Sequence, residues 1–229
     1  MAELWPIHTV VFDLDDTLYA EKQYVYSGFA AVDEFLRAEH SAPGFESAAR
    51  GLFDAGMRGR IFDEVLPGLG IAPDGDLITT LVTVYREHRP VLQLHADATT
   101  ALSWCGGKVR MGLITDGYAV TQAQKVAALN LEAIIPHRIL TDTLGRSAWK
   151  PSPIAFERMM ELCPGPASGF VYVGDNPRKD FLPGRELGWR TIRIRRPDSE
   201  HGSYTGEPAA SAEVEIESLA GLADQLRPE

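Results

Sequence analysis

Five short apolar runs, spaced by segments of helical periodicity, confine this chain to one class of fold. They are residues 9–12 (TVVF), 109–115 (VRMGLIT), 138–141 (RILT), 170–174 (FVYVG) and 191–195 (TIRIR). Each reads as a buried strand, and the first stops abruptly at an acidic tetrad, DLDD. Helical patterns at 99–104, 120–129, 154–162 and 178–187 lie between them. Strands alternating with helices of this length imply βαβ units, a mainly parallel sheet and an α/β fold. A weaker strand pattern at 214–216 and a helical pattern at 218–226 follow. In such sheets, function gathers at the carboxyl ends of the strands.

Residues 21–94 break that rhythm. Helical spacing at 26–37, 46–57 and 76–88 is punctuated by Pro43-Gly44, Pro67-Gly68 and Pro73-Asp74-Gly75, with no convincing strand between. The stretch reads as a helical insertion after the first strand, with hinges near 19–23 and 90–95. The expected organisation is therefore a catalytic core of 1–20 and 95–229, with a helical cap of 21–94. Residues 197–211, polar and rich in small side chains, read as an exposed loop.

With 45% apolar residues, a chain of 229 can bury a proper core. A net charge of −10 argues against a nucleic-acid polymer as partner. Two cysteines, Cys105 and Cys163, do not make a disulfide framework and suit a reducing compartment. The first residues lack a signal-peptide pattern, and no run approaches a membrane span. A cytoplasmic protein with no membrane partner is the expectation; oligomeric state is not legible.

Asp13 and Asp15 stand two residues apart at a strand end, a spacing that in extended backbone projects both carboxylates to one side. Two such neighbours repel, so they suit a shared divalent cation or a division into nucleophile and acid. Asp175 ends another apolar run and Asp180 follows it by five residues. Asp13 and Asp175 from neighbouring strand ends would form the incomplete carboxylate cage that Mg²⁺ favours. Thr115, Asp116 and Gly117 follow a third strand, and Lys150 precedes a helix. A hydroxyl, loop amides and a lysine are the groups that neutralise a phosphoryl group in transfer.

The motifs DLDDTL (Asp13–Leu18), LITDG (Leu113–Gly117), WKPSP (Trp149–Pro153) and GDNPRKD (Gly174–Asp180) occur in the order found in the haloacid dehalogenase superfamily. Over essentially its whole length the chain resembles the phosphatase branch of that family, with the helical cap of its first subclass. The resemblance implies a Rossmann-like core with helices on both faces and Mg²⁺ as cofactor. It also implies that Asp13 attacks phosphorus to form an aspartyl-phosphate. Asp15 would protonate the leaving alcohol and then deprotonate water. Thr115 and the Asp116 amide would hold phosphate oxygens, as would Lys150, which would also restrain Asp13. Mg²⁺ would take the Asp13 side chain, the Asp15 main-chain carbonyl and Asp175, with Asp180 acting through water. Dehalogenase members lack the second acid of the first motif, because a halide needs no proton, so Asp15 points to phosphate esters.

The expected activity is hydrolysis of a small phosphorylated metabolite, a nucleoside monophosphate or a sugar phosphate. A phosphomutase or phosphotransferase would use the same intermediate. A receiver-like signalling module, or an idle phosphate-binding member, fits less well. A receiver's nucleophile lies on a strand apart from its acidic pair and no large insertion follows it. Asp16 reads as structural and Asn176 as a turn residue. His8, His40, His88, His95, His137 and His201 show no metal-ligand spacing and read as structural or solvated. Trp5, Trp104, Trp149 and Trp189 read as packing residues, and Arg178-Lys179 and residues 193–196 as basic solvated faces near a phosphate-handling edge. Glu21, Tyr24, Tyr26, Arg58 and Arg60 are the cap residues that could meet a leaving group.

Overall fold

The computed structural model describes residues 7–204 and 211–226. Trp5 and the 205–210 part of the expected loop lie outside them. The chain divides into two compact units, Met1–Glu21 with Gln93–Glu229, and Lys22–Leu92.

In the first unit, six strands are present among the described residues: β1 (Thr9–Phe12), β2 (Arg110–Thr115), β3 (His137–Leu140), β4 (Phe170–Gly174), β5 (Arg190–Ile194) and β6 (Val214–Ile216). They form one sheet in the order β3-β2-β1-β4-β5-β6, and every pairing is parallel. The α/β fold with a helical insertion after β1 is therefore present, and the weak strand pattern at 214–216 is a real edge strand. Val10, Val11 and Phe12 are fully buried, as a central parallel strand covered on both faces requires. On one face, Val11, Ile114, Ile139 and Tyr172 pack with Ala155, Phe156 and Met159, and Trp189 stacks on Phe170 with ring centres 4.5 Å apart.

The sheet is wrapped by α5 (Ala96–Cys105), α6 (Ala119–Ala128), α7 (Ile154–Leu162), α8 (Leu182–Glu186) and α9 (Leu222–Leu226), numbered after the four helices of the insertion. One expectation is corrected here: the helix read over 178–187 exists only as the five residues of α8. Residues 176–180 instead form a turn, because the Asp180 and Lys179 amides both donate to the Asn176 carbonyl while the Asp180 side chain accepts from the Asn176 amide. Pro183 sits in the first turn of α8, where its missing N–H costs nothing.

The second unit comprises α1 (Glu21–His40) from Lys22 onward, α2 (Phe45–Asp54), α3 (Ile61–Val65) and α4 (Gly75–Glu87). Its core takes Val25, Phe29, Val32 and Leu36 from α1, an i, i+4, i+7, i+11 stripe, with Phe45 and Ala49, Ile61 and Val65, and Leu81 from the other three. α3 has no counterpart among the helical patterns of the sequence. Five residues are fewer than two turns, too few to display a period. Gly44 holds a left-handed φ of 107° at the start of α2 and has no side chain with which to cap it. Asp33 of α1 does that work from a distance: its Oδ1 accepts the amides of Gly44 at 2.7 Å and Glu46 at 3.2 Å, while Arg37 donates to Oδ2 at 2.6 Å.

Burial would raise the Asp33 pKa, but the Glu46 and Gly44 amides and Arg37 outweigh it and leave the carboxyl below its usual range. Its folded-state pKa is thus depressed. The stability it supplies is present above the ordinary carboxylate value of about 3.9 and is lost as pH falls through the lower folded value. Asp33→Ala is expected to destabilise the helical unit by about 1–2 kcal/mol. The same change should remove part of the acid sensitivity of hydrogen exchange in α1 and α2. Unchanged protection of both helices in the variant would refute the capping role.

Candidate active site

Parallel strands all leave the sheet at the same edge, so residues that end β2, β1 and β4 are neighbours whatever their separation in sequence. Asp13 directly follows β1, Thr115 is the last residue of β2, and Asp175 directly follows β4. The Asp13 amide donates to the Val173 carbonyl at 2.8 Å, which carries the β1–β4 pairing up to the first acidic residue.

Asp13, Asp175 and Asp180 converge: each offers a carboxylate oxygen, and these oxygens lie within 4.8 Å of one another. All three residues are buried. The Lys150 ammonium lies beneath them, donating to Asp13 Oδ1 at 2.6 Å, Asp180 Oδ1 at 2.7 Å and the Tyr172 hydroxyl at 2.8 Å. Asp180 Oδ2 accepts the Asn176 amide at 2.9 Å. Gly174 makes this approach feasible, since a Cβ there would stand 2.5 Å from Asp180 Oδ2.

Asp15 is held by a separate group. Tyr19 and Lys125 donate to its Oδ1 at 2.5 and 2.7 Å, and Gln122 donates to its Oδ2 at 3.0 Å. The Gln122 amide also reaches Thr115 Oγ1 at 2.5 Å, joining the β1 and β2 ends. The Asp116 carboxylate ties three loops together: Oδ1 accepts from Thr141 at 2.8 Å and from the Lys150 amide at 3.1 Å, and Oδ2 accepts from Lys179 at 3.2 Å. Asp16 takes a left-handed φ of 54° and accepts the amides of Glu21 at 2.9 Å and Glu200 at 3.3 Å, a structural role.

These groups open on a cavity of about 150 Å³ walled by Asp13, Asp15, Glu21, Asp116, Asp175 and Lys179, among others. Thr115 and Lys150 stand behind that wall: Lys150 bonds Asp13, and Thr115 is linked to Asp15 by way of the Gln122 amide. The electrostatics are those of a site short of positive charge. Burial, opposed by Lys150 and reinforced by Asp180, pushes the Asp13 carboxyl up to about 6. Burial and the charges of Asp180, Asp13 and Asp16 push Asp175 well above the usual carboxylate range. Glu21 is pushed up to about 7 by burial and by Asp15, against Lys125. Asp15 alone of these goes the other way: burial raises it, but the Lys125 charge and the Lys125, Tyr19 and Gln122 hydrogen bonds more than offset that. Hard oxygen donors, converging and mutually repelling, fit a small divalent cation.

Several participants carry no motif. Gln122 and Lys125 are polar residues on the helix face that Val126 and Leu129 otherwise make apolar, a break in pattern that was readable. Glu200 and His201 line the cavity from the loop after β5, although the histidine spacing gave it no role. That loop is pinned by arginines: Arg193 donates to the His201 and Tyr204 carbonyls, and Arg196 to the Thr17 carbonyl and to Asp97. Lys179 is likewise part of the wall rather than a solvated face. Among the insertion candidates, Tyr24 donates to the Tyr85 carbonyl, Tyr26 to Asp54, and Arg58 lies over Phe53, all partners within the helical unit. Arg60, with a φ of 49°, precedes α3. Among the described residues, no helix is long and apolar enough to cross a membrane.

The sequence profile described as haloacid dehalogenase-like hydrolase matches residues 7–188. Glyceraldehyde 3-phosphate phosphatase from Methanocaldococcus jannaschii is 29% identical over 213 residues, covering 87% of this chain and 92% of the relative. Phosphoserine phosphatase from Thermus thermophilus is 27% identical over 190 residues, covering 81% and 71%. The structure of the HAD-hydrolase YfnB from Bacillus subtilis, bound to magnesium, superposes with a TM-score of 0.69 at 20% identity, covering 97% of this chain and all of that one. At that identity the likeness concerns the fold.

Proposed function

Because this chain belongs to the haloacid dehalogenase-like hydrolases, we propose that it is a Mg²⁺-dependent phosphomonoesterase that acts on a small phosphorylated metabolite through an aspartyl-phosphate on Asp13. The observation that carries the reading is the pair of differently held carboxylates: Asp13 faces the carboxylate cluster, and Asp15, two residues on, belongs to a separate hydrogen-bond group. A nucleophile and an acid–base group need such separate settings. A halide leaving group would need only the first.

Asp13, the Asp15 main-chain carbonyl and Asp175 would hold Mg²⁺, with Asp180 acting through water. Bound there, the cation supplies the positive charge that offsets the crowded carboxylates and holds a phosphoryl group against them. Asp13 attacks phosphorus while the ester P–O bond breaks, and Asp15 gives its proton to the departing alcohol oxygen. Asp15 then takes a proton from water, which attacks phosphorus and releases Asp13. Lys125 favours the ionised Asp15 that this second half requires, and the charge of an arriving phosphate would favour the protonated form that the first requires. Thr115 and the Asp116 amide hold phosphate oxygens.

The substrates named for the two phosphatase relatives, glyceraldehyde 3-phosphate and phosphoserine, are three-carbon phosphate monoesters. They favour a small sugar phosphate or its like over a nucleotide. The test is phosphate release from three-carbon phosphates, larger sugar phosphates and nucleoside monophosphates. Activity should vanish on exhaustive chelation and return in full when Mg²⁺ is restored. Release from none of these esters with Mg²⁺ present, or release indifferent to chelation, would sink the proposal.

A further inference from the structure

Two lysines flank the carboxylates, and their surroundings differ. The Lys150 side chain is completely buried. An ammonium has three N–H donors, and those of Lys150 already have Asp13, Asp180 and the Tyr172 hydroxyl as partners at 2.6–2.8 Å. To meet a phosphate oxygen, it would have to release one of these three partners. Lys179 is 31% exposed at the side chain and lines the cavity with Asp13, Asp15 and Asp175. Among the described residues, the one hydrogen bond of its ammonium goes to Asp116 Oδ2 at 3.2 Å, longer than the roughly 2.7–2.9 Å of a strong charge-assisted bond. Asp116 does not depend on it, since Thr141 and the Lys150 amide hold the other oxygen.

The mounting of Lys179 is firm. The 176–180 turn fixes the Lys179 amide on the Asn176 carbonyl, and Asp180 closes it by accepting the Asn176 amide. Lys179 therefore lines the cavity with donors to spare, in the same wall as the proposed nucleophile.

We propose that Lys179 is a phosphate-binding residue, an ammonium that meets the oxygens of the transferring group in addition to Lys150, which also restrains Asp13 and Asp180. This rests on the phosphomonoesterase reading and refines it. On binding, the Lys179 ammonium moves from Asp116 Oδ2 to a phosphate oxygen, and no bond other than hydrogen bonds changes.

The test uses the full chain with Mg²⁺ and the variants Lys179→Met, Lys179→Gln and Lys179→Arg. Inorganic phosphate is the probe, both as a ligand in calorimetry and as a competitive inhibitor. Lys179→Met and Lys179→Gln should weaken phosphate binding at least about tenfold and lower kcat/KM by about a hundredfold. Their melting temperatures should stay near that of the wild type. Lys179→Arg should recover most of both losses. Wild-type phosphate affinity in the folded Met and Gln variants, with kcat/KM within threefold, would overturn the inference. The two readings fail separately. If the wild type binds phosphate but hydrolyses no ester, the enzymatic reading falls, and the binding data alone still decide for or against Lys179. If the wild type binds no phosphate, the Lys179 inference falls as well.

Discussion

Asp13→Asn is expected to abolish phosphate release, with kcat falling by at least about 10⁴-fold, because a carboxamide cannot form the covalent intermediate. The substitution keeps size and shape at a residue that is buried against Lys150. It also leaves Lys150 its second carboxylate, Asp180, so the buried ammonium is not stranded. The variant should accordingly fold, which circular dichroism and thermal melting would verify. Wild-type protein quenched during turnover should carry acid-stable phosphate that hydroxylamine removes, and Asp13→Asn should carry none. Turnover by the variant within tenfold of wild type would end the aspartyl-phosphate mechanism.

Asp15→Ala is expected to cost about 10²–10⁴-fold, the usual range for a positioned acid–base group, and the cost should depend on the leaving group. An alkoxide needs a proton as it departs, whereas a nitrophenolate hardly does. Alkyl phosphates should therefore suffer much more than nitrophenyl phosphate in the first half-reaction. The second half needs a base for every substrate. Nitrophenyl phosphate should then give a burst of nitrophenolate followed by slow turnover, as phosphoenzyme accumulates. Equal losses on alkyl and aryl esters, with no burst, would remove Asp15 from that role. Removing Asp15 also takes away the 2.7 Å ion pair that it makes with the buried Lys125. Asp15→Asn is the control for structural loss, since it keeps hydrogen-bonding groups for Lys125 and Tyr19 while offering no acid.

The parallel sheet was legible because buried strands are nearly pure apolar runs. Residues 9–12 and 170–174 announce themselves by composition, and the acidic residues that follow mark the carboxyl edge. The edge strand at 214–216 was fainter, because burial on one side leaves room for Glu215, which pairs with Arg193 and Arg195. The motif residues Asp13, Asp15, Asp116 and Asp175 could be named because one dense local word contains each. Lys125 and Gln122 belong to no word. They matter because α6 turns one face toward Asp15, a relation between helix phase and strand end that a linear pattern barely encodes. The loop around Glu200 and His201 was less legible still. Arginines hold it by main-chain carbonyls, which every residue possesses, so the contacts leave no trace in the identity of the residues held. At 178–180 the start of the expected helix gave way to a turn because one buried carboxylate, Asp180, bonds that turn and Lys150 instead of leaving the segment to helical hydrogen bonding.

Gly174 gives the acidic edge a fragility out of proportion to its chemistry. It donates no charge and could be overlooked in any inventory of reactive groups, yet Asp180, which completes the cluster with Asp13 and Asp175, lies across the space where its side chain would be. Anyone redesigning this protein by grafting its acidic and basic residues onto another parallel sheet would have to transplant that empty space too. A scaffold that reproduced every ionisable group but carried an ordinary residue at the end of the fourth strand would hold the right inventory at the wrong spacing.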